Sequence, residues 1–282
     1  MRLTSVVLHS DYTSEDVEFS LRGTDLRSRY TVRNIAGIDA EELIPKFYTF
    51  GQESNAKYYE VTMKPREVVI RVTLNPQYDT NETVSHIRDK LYRLIAANRT
   101  GTIQLQFKYG ATVGRVISGR VTKFEVAYFT QTPELQITFL CPDPTFRSVQ
   151  PIVVKPEDLP TGSPIMLSDS ASTAPHGLSF KIKVTSAFTH FTVQDAASSP
   201  DWSWSVGPTG GFAVDDELHF SSEFRNKLVY LHNLSSPKHI MDKVVPDSVW
   251  PIIFPGANEL HFSNSDKFEW LELNYYSAYW GV

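Results

Sequence analysis

A single cysteine, Cys141, stands among 282 residues. One thiol excludes an intrachain disulfide and argues against a zinc site, which ordinarily draws several Cys or His at short spacing. The eight histidines show no HExxH or comparable pairing. No apolar run approaches the roughly 20 residues that cross a bilayer, and the patch before His9 and Asp11 is too short for a signal-peptide core. Phosphate cradles are missing too, because GATVG and GPTGG lack the Lys-Ser/Thr of a P-loop and the strand-to-helix context of a dinucleotide site. These absences lead to the expectation of a protein made in a reducing cytoplasm, with no membrane segment, no metal and no cofactor.

What remains is ordinary globular composition, 41% hydrophobic and 21% charged. The length suits one large or two ordinary domains. The net charge of -5 is unevenly spread, with 19 Lys and Arg against 17 Asp and Glu through Arg147, and 8 against 15 beyond it. All five tryptophans (Trp202, Trp204, Trp250, Trp270 and Trp280) also lie in the second half. Two domains of different surface character are expected, residues 1–148 and 149–282.

The first half reads as strands with one helix, a mainly β (α+β) class. In KPREVVIRVTLNP, Val68, Ile70, Val72 and Leu74 share one face before an Asn-Pro turn. In YDTNETVSHIRDKLYRLIAANRTG, Val84, Ile87, Leu91, Leu94 and Ile95 form the stripe of an amphipathic helix. Asp79 with Glu82 resembles a capping box, and Gly101 is a stop. TIQLQFKYG alternates Ile103, Leu105, Phe107 and Tyr109 with Gln104, Gln106 and Lys108. In GRVISGRVTKFEVAYF the apolar parity changes between Val121 and Phe124, which predicts a bulge. FTQTPELQITFLCPDPTFRS alternates Leu135, Ile137, Phe139 and Cys141 and then halts at Cys141-Pro142-Asp143-Pro144, where two prolines remove two backbone donors.

The following stretch, VQPIVVKPEDLPTGSPIMLSDSASTAPHG, has the Pro, Ser and Gly content of a connector or arm. Beyond it come short strands separated by turns, LSFKIKVTS, DWSWSVG, ELHFSS, NKLVYLHN, NELHFSN and FEWLELNYY, which favours a β-sandwich. ELHFS occurs at Glu217 and again at Glu259, as equivalent strand positions or by chance.

The chemistry is sparse. Cys141 is expected on a buried face, as a small hydrophobe rather than a nucleophile. Asp215-Asp216-Glu217 and Glu157-Asp158 read as solvated turn charges rather than glycosidase acids or calcium ligands. Trp202 and Trp204 could form an aromatic platform for a sugar, although an inward pair in a sandwich core explains the same letters. Arg22, Arg27, Arg29 and Arg33 could meet phosphates, but interspersed acids favour an intersubunit or solvated role. No enzyme is expected.

Taken together, these segments resemble the distal tail protein (Dit) family of long, non-contractile-tailed phages. YTVRNIAGID, with Asn34 and Gly37, is similar to an early family segment. The helix bearing Arg88, the next strand and GRVISGRV with Gly119 resemble the family's run of helix, hairpin and glycine-containing strand. FTQTPELQITFLCPDPTF resembles the corner that ends the N-terminal domain, at Pro142, Asp143 and Pro144. VWPIIFPGANELHF resembles the late Pro-Gly-x-Asn turn, at Pro255, Gly256 and Asn258.

The resemblance implies a tail-tube-like antiparallel N-terminal domain with one covering helix, followed by a galectin-like β-sandwich. It implies a virion protein at the distal end of the tail, forming a hexameric ring between the tail tube protein and the tail hub or tip protein. DNA would only pass through its channel during genome ejection, and the sandwich would carry host attachment. Such a ring would also hide sheet edges between subunits. The alternative is a tail protein that binds a receptor or host glycan through its C-terminal sandwich.

Overall fold

The computed structural model describes residues 2–282 apart from 11–12, 22–27, 41–43, 49–56, 63, 78–80, 98–100, 128–132, 160–161, 163, 196–201, 225 and 233–236. The chain folds as two compact units, Met1–Val149 with Trp280–Val282, and Gln150–Tyr279.

Unit 1 contains β1 (Ser5–Ser10), β2 (Asp16–Leu21), β3 (Tyr30–Ala36), β4 (Ile44–Tyr48), β5 (Lys57–Thr62), β6 (Arg66–Leu74), α1 (Val84–Ala97), β7 (Ile103–Tyr109), β8 (Thr112–Ala127), β9 (Glu134–Cys141) and β10 (Phe146–Arg147). Strands β4 and β5 form a separate antiparallel pair. The main sheet runs β8-β7-β1-β2-β3-β6-β9, and β9 pairs back onto β8, so seven strands close into a barrel. All its pairings are antiparallel except β2 with β3. The sixteen-residue β8 makes the closure possible. Its first half pairs with β7 through Gly119 and its second half with β9 from Arg120 onward. The expected bulge lies where the register shifts between Val121 and Lys123.

Closure pairs the end strands of the main sheet within the chain, β9 returning to the second half of β8. The alternating residues fill the interior in register. Val68 faces Phe139, Ile70 faces Ile137 and Val72 faces Leu135, while Val6 and Leu8 sit between Phe19 and Val17 on one side and Phe107 and Leu105 on the other. Each of these side chains is buried at 3% exposure or less. Burying each large one contributes about 1.5–3 kcal/mol.

Helix α1 buries Ile87, Leu91 and Leu94, and the Tyr30 hydroxyl donates to the Ile87 carbonyl at 2.8 Å. Its start differs from the expected capping box. Asp79 lies outside the described residues, and Thr83 caps instead, its hydroxyl accepting from the His86 amide at 3.2 Å. Glu82 is taken up by Arg29, whose Nε donates to Oε2 at 2.8 Å.

Unit 2 contains β11 (Ile152–Val154), β12 (Ile165–Asp169), β13 (Leu178–Val184), β14 (Phe191–Asp195), β15 (Trp202–Val206), β16 (Glu217–Ser221), β17 (Leu228–His232), β18 (Pro237–His239), β19 (Gly256–Phe262) and β20 (Phe268–Tyr275). They form a six-stranded sheet, β11-β20-β13-β16-β17-β18, and a four-stranded sheet, β12-β19-β14-β15. One core joins them. Phe180 of the larger sheet lies 5.8 Å from both Phe191 and Phe262 of the smaller, and Trp204 lies 4.6 Å from Phe220. The two ELHFS segments fall in opposite sheets, each turning its Leu and Phe inward. The expected connector is largely structured, since β11 pairs with β20 and β12 with β19.

Candidate functional site: the proline corner of the barrel

Arg66 has the parity of Val68, Ile70 and Val72 and therefore points inward, opposite Cys141. It is fully buried. Its Nε donates to the Pro144 carbonyl at 2.5 Å, Nη1 to the carbonyls of Gly37 (2.9 Å) and Asp39 (2.5 Å), and Nη2 to the Trp280 carbonyl at 2.7 Å. The guanidinium also lies 4.7 Å over the Phe146 ring, itself edge-on to Phe107. One planar cation thus fixes the loop after β3, the segment after β9 and the chain's last residues, a task suited to its rigid fork of donors.

Around it the corner is built from residues with local reasons to be there. Asp143 Oδ1 accepts from the amide and hydroxyl of Thr145, at 3.0 and 2.6 Å, which folds the Pro-Asp-Pro turn. Gly37 has φ of +78°, and a Cβ there would stand 1.9 Å from the Glu67 carbonyl oxygen. Gly119 marks the point where β8 changes partner, and a Cβ there would meet Cys141 Sγ at 2.7 Å. Cys141 is inert in this setting. Burial pushes its thiol up to about 12, against the pull of the Arg66 charge.

Of the positions singled out in the sequence, Gly37, Gly119 and Pro142-Asp143-Pro144 therefore gather at one corner, while the others do not. Asn34 is exposed on β3, where the register shifts after Val32. Arg88 lies on the helix beside Asp89 and 5.8 Å over Tyr92. Pro255, Gly256 and Asn258 form a turn in unit 2, where Gly256 has φ of +101°. Buried Asn258 closes it by accepting from the Phe254 amide and donating to the Phe254 carbonyl, both at 2.8 Å. In the basic set, Arg33 donates to Thr73 at 2.7 Å and faces Glu134 at 3.7 Å. Arg22 and Arg27 lie outside the described residues.

The sugar platform loses Trp204. That indole is fully buried between Phe220 and Trp250, so it belongs to the core. Trp202 takes its place on β15 opposite Asp195, and its side chain lies outside the described residues. The signal was present in the sequence, because Val206 continues the Trp204 parity as an apolar stripe.

Sequence reading also missed Arg66, and in unit 2 a buried network around Asp169. Its Oδ1 accepts from Ser277 Oγ at 3.0 Å and from the Ala171 and Ser172 amides, and its Oδ2 from Ser172 Oγ at 2.5 Å and His176 Nε2 at 2.8 Å. Burial alone would push this carboxyl up, but those hydrogen bonds outweigh it and hold it below the ordinary value. The imidazole stacks flat on Tyr275, 5.4 Å away. The serines here bond the aspartate rather than the histidine, so no activated nucleophile results. Among the described residues no group of three or more His, Cys, Asp or Glu is placed to hold a metal ion, and no helix is long and apolar enough to cross a membrane.

Comparison with solved structures finds a similar fold in a phage protein. The chain matches the crystal structure of the SPP1 Dit protein, described as a paradigm of the hub adsorption apparatus in phages infecting Gram-positive bacteria. The match has a TM-score of 0.62 and 13% identity, over 97% of this chain and 98% of that one. Two structures of the phage p2 baseplate in its activated conformation, with Sr and with Ca, align at TM-scores of 0.49, with 7% and 6% identity. They cover 97% and 98% of this chain and 98% of each matched chain. No family profile and no curated protein matches the sequence.

Proposed function

We propose that the chain is a non-enzymatic structural protein of a bacteriophage tail, a hub subunit at the distal end of the virion. Six copies close into a ring that joins the tail tube protein to the tail hub or tip protein and leaves a channel for DNA. Unit 1 builds the ring, and unit 2 is the galectin-like module available for host attachment. The observation that carries this reading is the likeness to SPP1 Dit through both units rather than one.

Physical features of the chain support it. A barrel with its sheet edges closed is a self-sufficient block that can be repeated around an axis without open-edge aggregation. The Arg66 corner ties the exit from the barrel and the last residues into one rigid point, as suits a part that bears load. Electron microscopy of the purified chain tests the assembly. Particles with six-fold symmetry and a central opening are expected, and compact particles without an opening would overturn the reading.

A further inference from the structure

Strands β4 and β5 pair with each other and, among the described residues, with no other strand. A two-stranded ribbon is marginal by itself in water, so its bearing on the barrel is decided at its two roots. Both roots converge on Arg66. The incoming root, residues 37–40, begins where β3 ends at Ala36. The outgoing root leaves β5 at Thr62 and enters β6 at Arg66 itself.

The incoming root is gripped through three successive carbonyls. Arg66 Nη1 donates to the first and third, those of Gly37 at 2.9 Å and Asp39 at 2.5 Å. The carbonyl between them, that of Ile38, accepts from the Val282 amide at 2.9 Å. The segment Trp280–Val282 is held in its turn by cations of unit 1. Arg66 Nη2 donates to the Trp280 carbonyl at 2.7 Å, and Arg115 Nη1 donates to the Gly281 carbonyl. Gly281 lies flat against the root, where a Cβ would stand 3.1 Å from the Ile38 carbonyl oxygen and 3.3 Å from the Ala40 nitrogen. Only glycine lets two backbones approach this closely without one of them giving way.

The energetics suit a contact that can open. Trp280–Val282 lies outside any helix or strand, and the three hydrogen bonds just named are set against the ordering of three residues. These opposing contributions are of like size, so the loss of a single bond shifts the balance. The barrel itself rests on a separate store of buried side chains, among them Leu8, Phe19, Ile70 and Ile137. Asp39 and Ala40 are exposed, so water can replace what the root loses. We propose that Trp280–Val282 is a strap over the root of the β4–β5 ribbon. Docked, it locks the root against Arg66 and holds the ribbon in one orientation; released, it frees the root at Ile38 and lets the ribbon swing.

The strap goes beyond the hub reading and does not depend on it, since every group involved belongs to one chain. It is tested by hydrogen–deuterium exchange with a mass readout, on the full chain and two variants at one fixed concentration. Val282→Pro removes only the amide that holds Ile38, and the second variant lacks Trp280–Val282. In Val282→Pro, exchange at residues 44–48 and 57–62 should quicken on the order of fivefold, the weight of one hydrogen bond. The shortened chain should exceed this, and β1, β7 and β9 should keep their wild-type protection in Val282→Pro. Unchanged exchange at 44–48 and 57–62 in Val282→Pro would overturn the proposal, whatever the shortened chain does. An equal quickening of β1, β7 and β9 in Val282→Pro would overturn it too, by making the segment an ordinary part of the barrel. The solution mass of each sample, measured alongside, reports ring formation separately, so either reading can fail without the other.

Discussion

Gly119 packs directly on Cys141. A Cβ at 119 would lie 2.7 Å from the thiol sulfur and 2.8 Å from the Leu140 carbonyl oxygen, at the point where β8 passes from β7 to β9 and closes the barrel. Gly119→Ala is therefore expected to destabilise unit 1 by about 1–3 kcal/mol through overpacking, read by denaturant unfolding. Adding Cys141→Ala should recover only part of this loss, because the carbonyl stays in place. Full recovery would show that the sulfur alone sets the limit.

Arg66 should be among the least replaceable residues of unit 1. Arg66→Met leaves the carbonyls of Gly37, Asp39, Pro144 and Trp280 without its donors, at a cost of about 3 kcal/mol or more. Arg66→Lys should recover little, since a point-like ammonium cannot span four acceptors in a plane. Hydrogen exchange should quicken at the segments around residues 37–39 and 144–146. Wild-type protection there in the Met variant would contradict the role assigned to the guanidinium.

The lone thiol should be silent in the folded protein. Cys141 is fully buried, with its pKa raised to about 12, so little thiolate exists at neutral pH. Labelling with a thiol reagent at pH 7 should follow the unfolding rate and reach completion only in denaturant. Rapid labelling of the native chain would refute the burial.

Asp169 supplies a pH dependence of definite sign. Its folded value lies below the unfolded one, so its contribution is complete above the ordinary carboxylate value near 4 and fades as the pH falls through the lower folded value. The gap in unfolding midpoint between the wild type and Asp169→Asn should be widest near neutrality and narrow progressively below about pH 4. A gap that widens on acidification would reverse the assignment.

Much of the fold was legible because its signals are local. Period-two alternation in β6, β7 and β9, the Ile87-Leu91-Leu94 stripe and the parity change after Val121 all arise within a few residues. Barrel closure was hidden, since it depends on one long strand sharing two partners remote in sequence. Strands β11 and β12 were hidden as well, because three- and five-residue edges inside a Pro- and Ser-rich stretch are too short to show a period. Alternation set Trp204 and Val206 on one face of β15 but could not say which sheet would cover it. Arg66 was overlooked although its inward parity beside Val68 and Ile70 was readable. A cation at a core position signals a buried hydrogen-bonding hub, and its partners are backbone carbonyls that no sequence motif displays.

The most direct measurement is the solution mass of the purified chain by light scattering across a concentration series. A hub ring requires a species of about six times the 32.0 kDa chain mass, growing at the expense of smaller species as concentration rises. A mass fixed at one chain at every concentration would contradict ring formation by this protein.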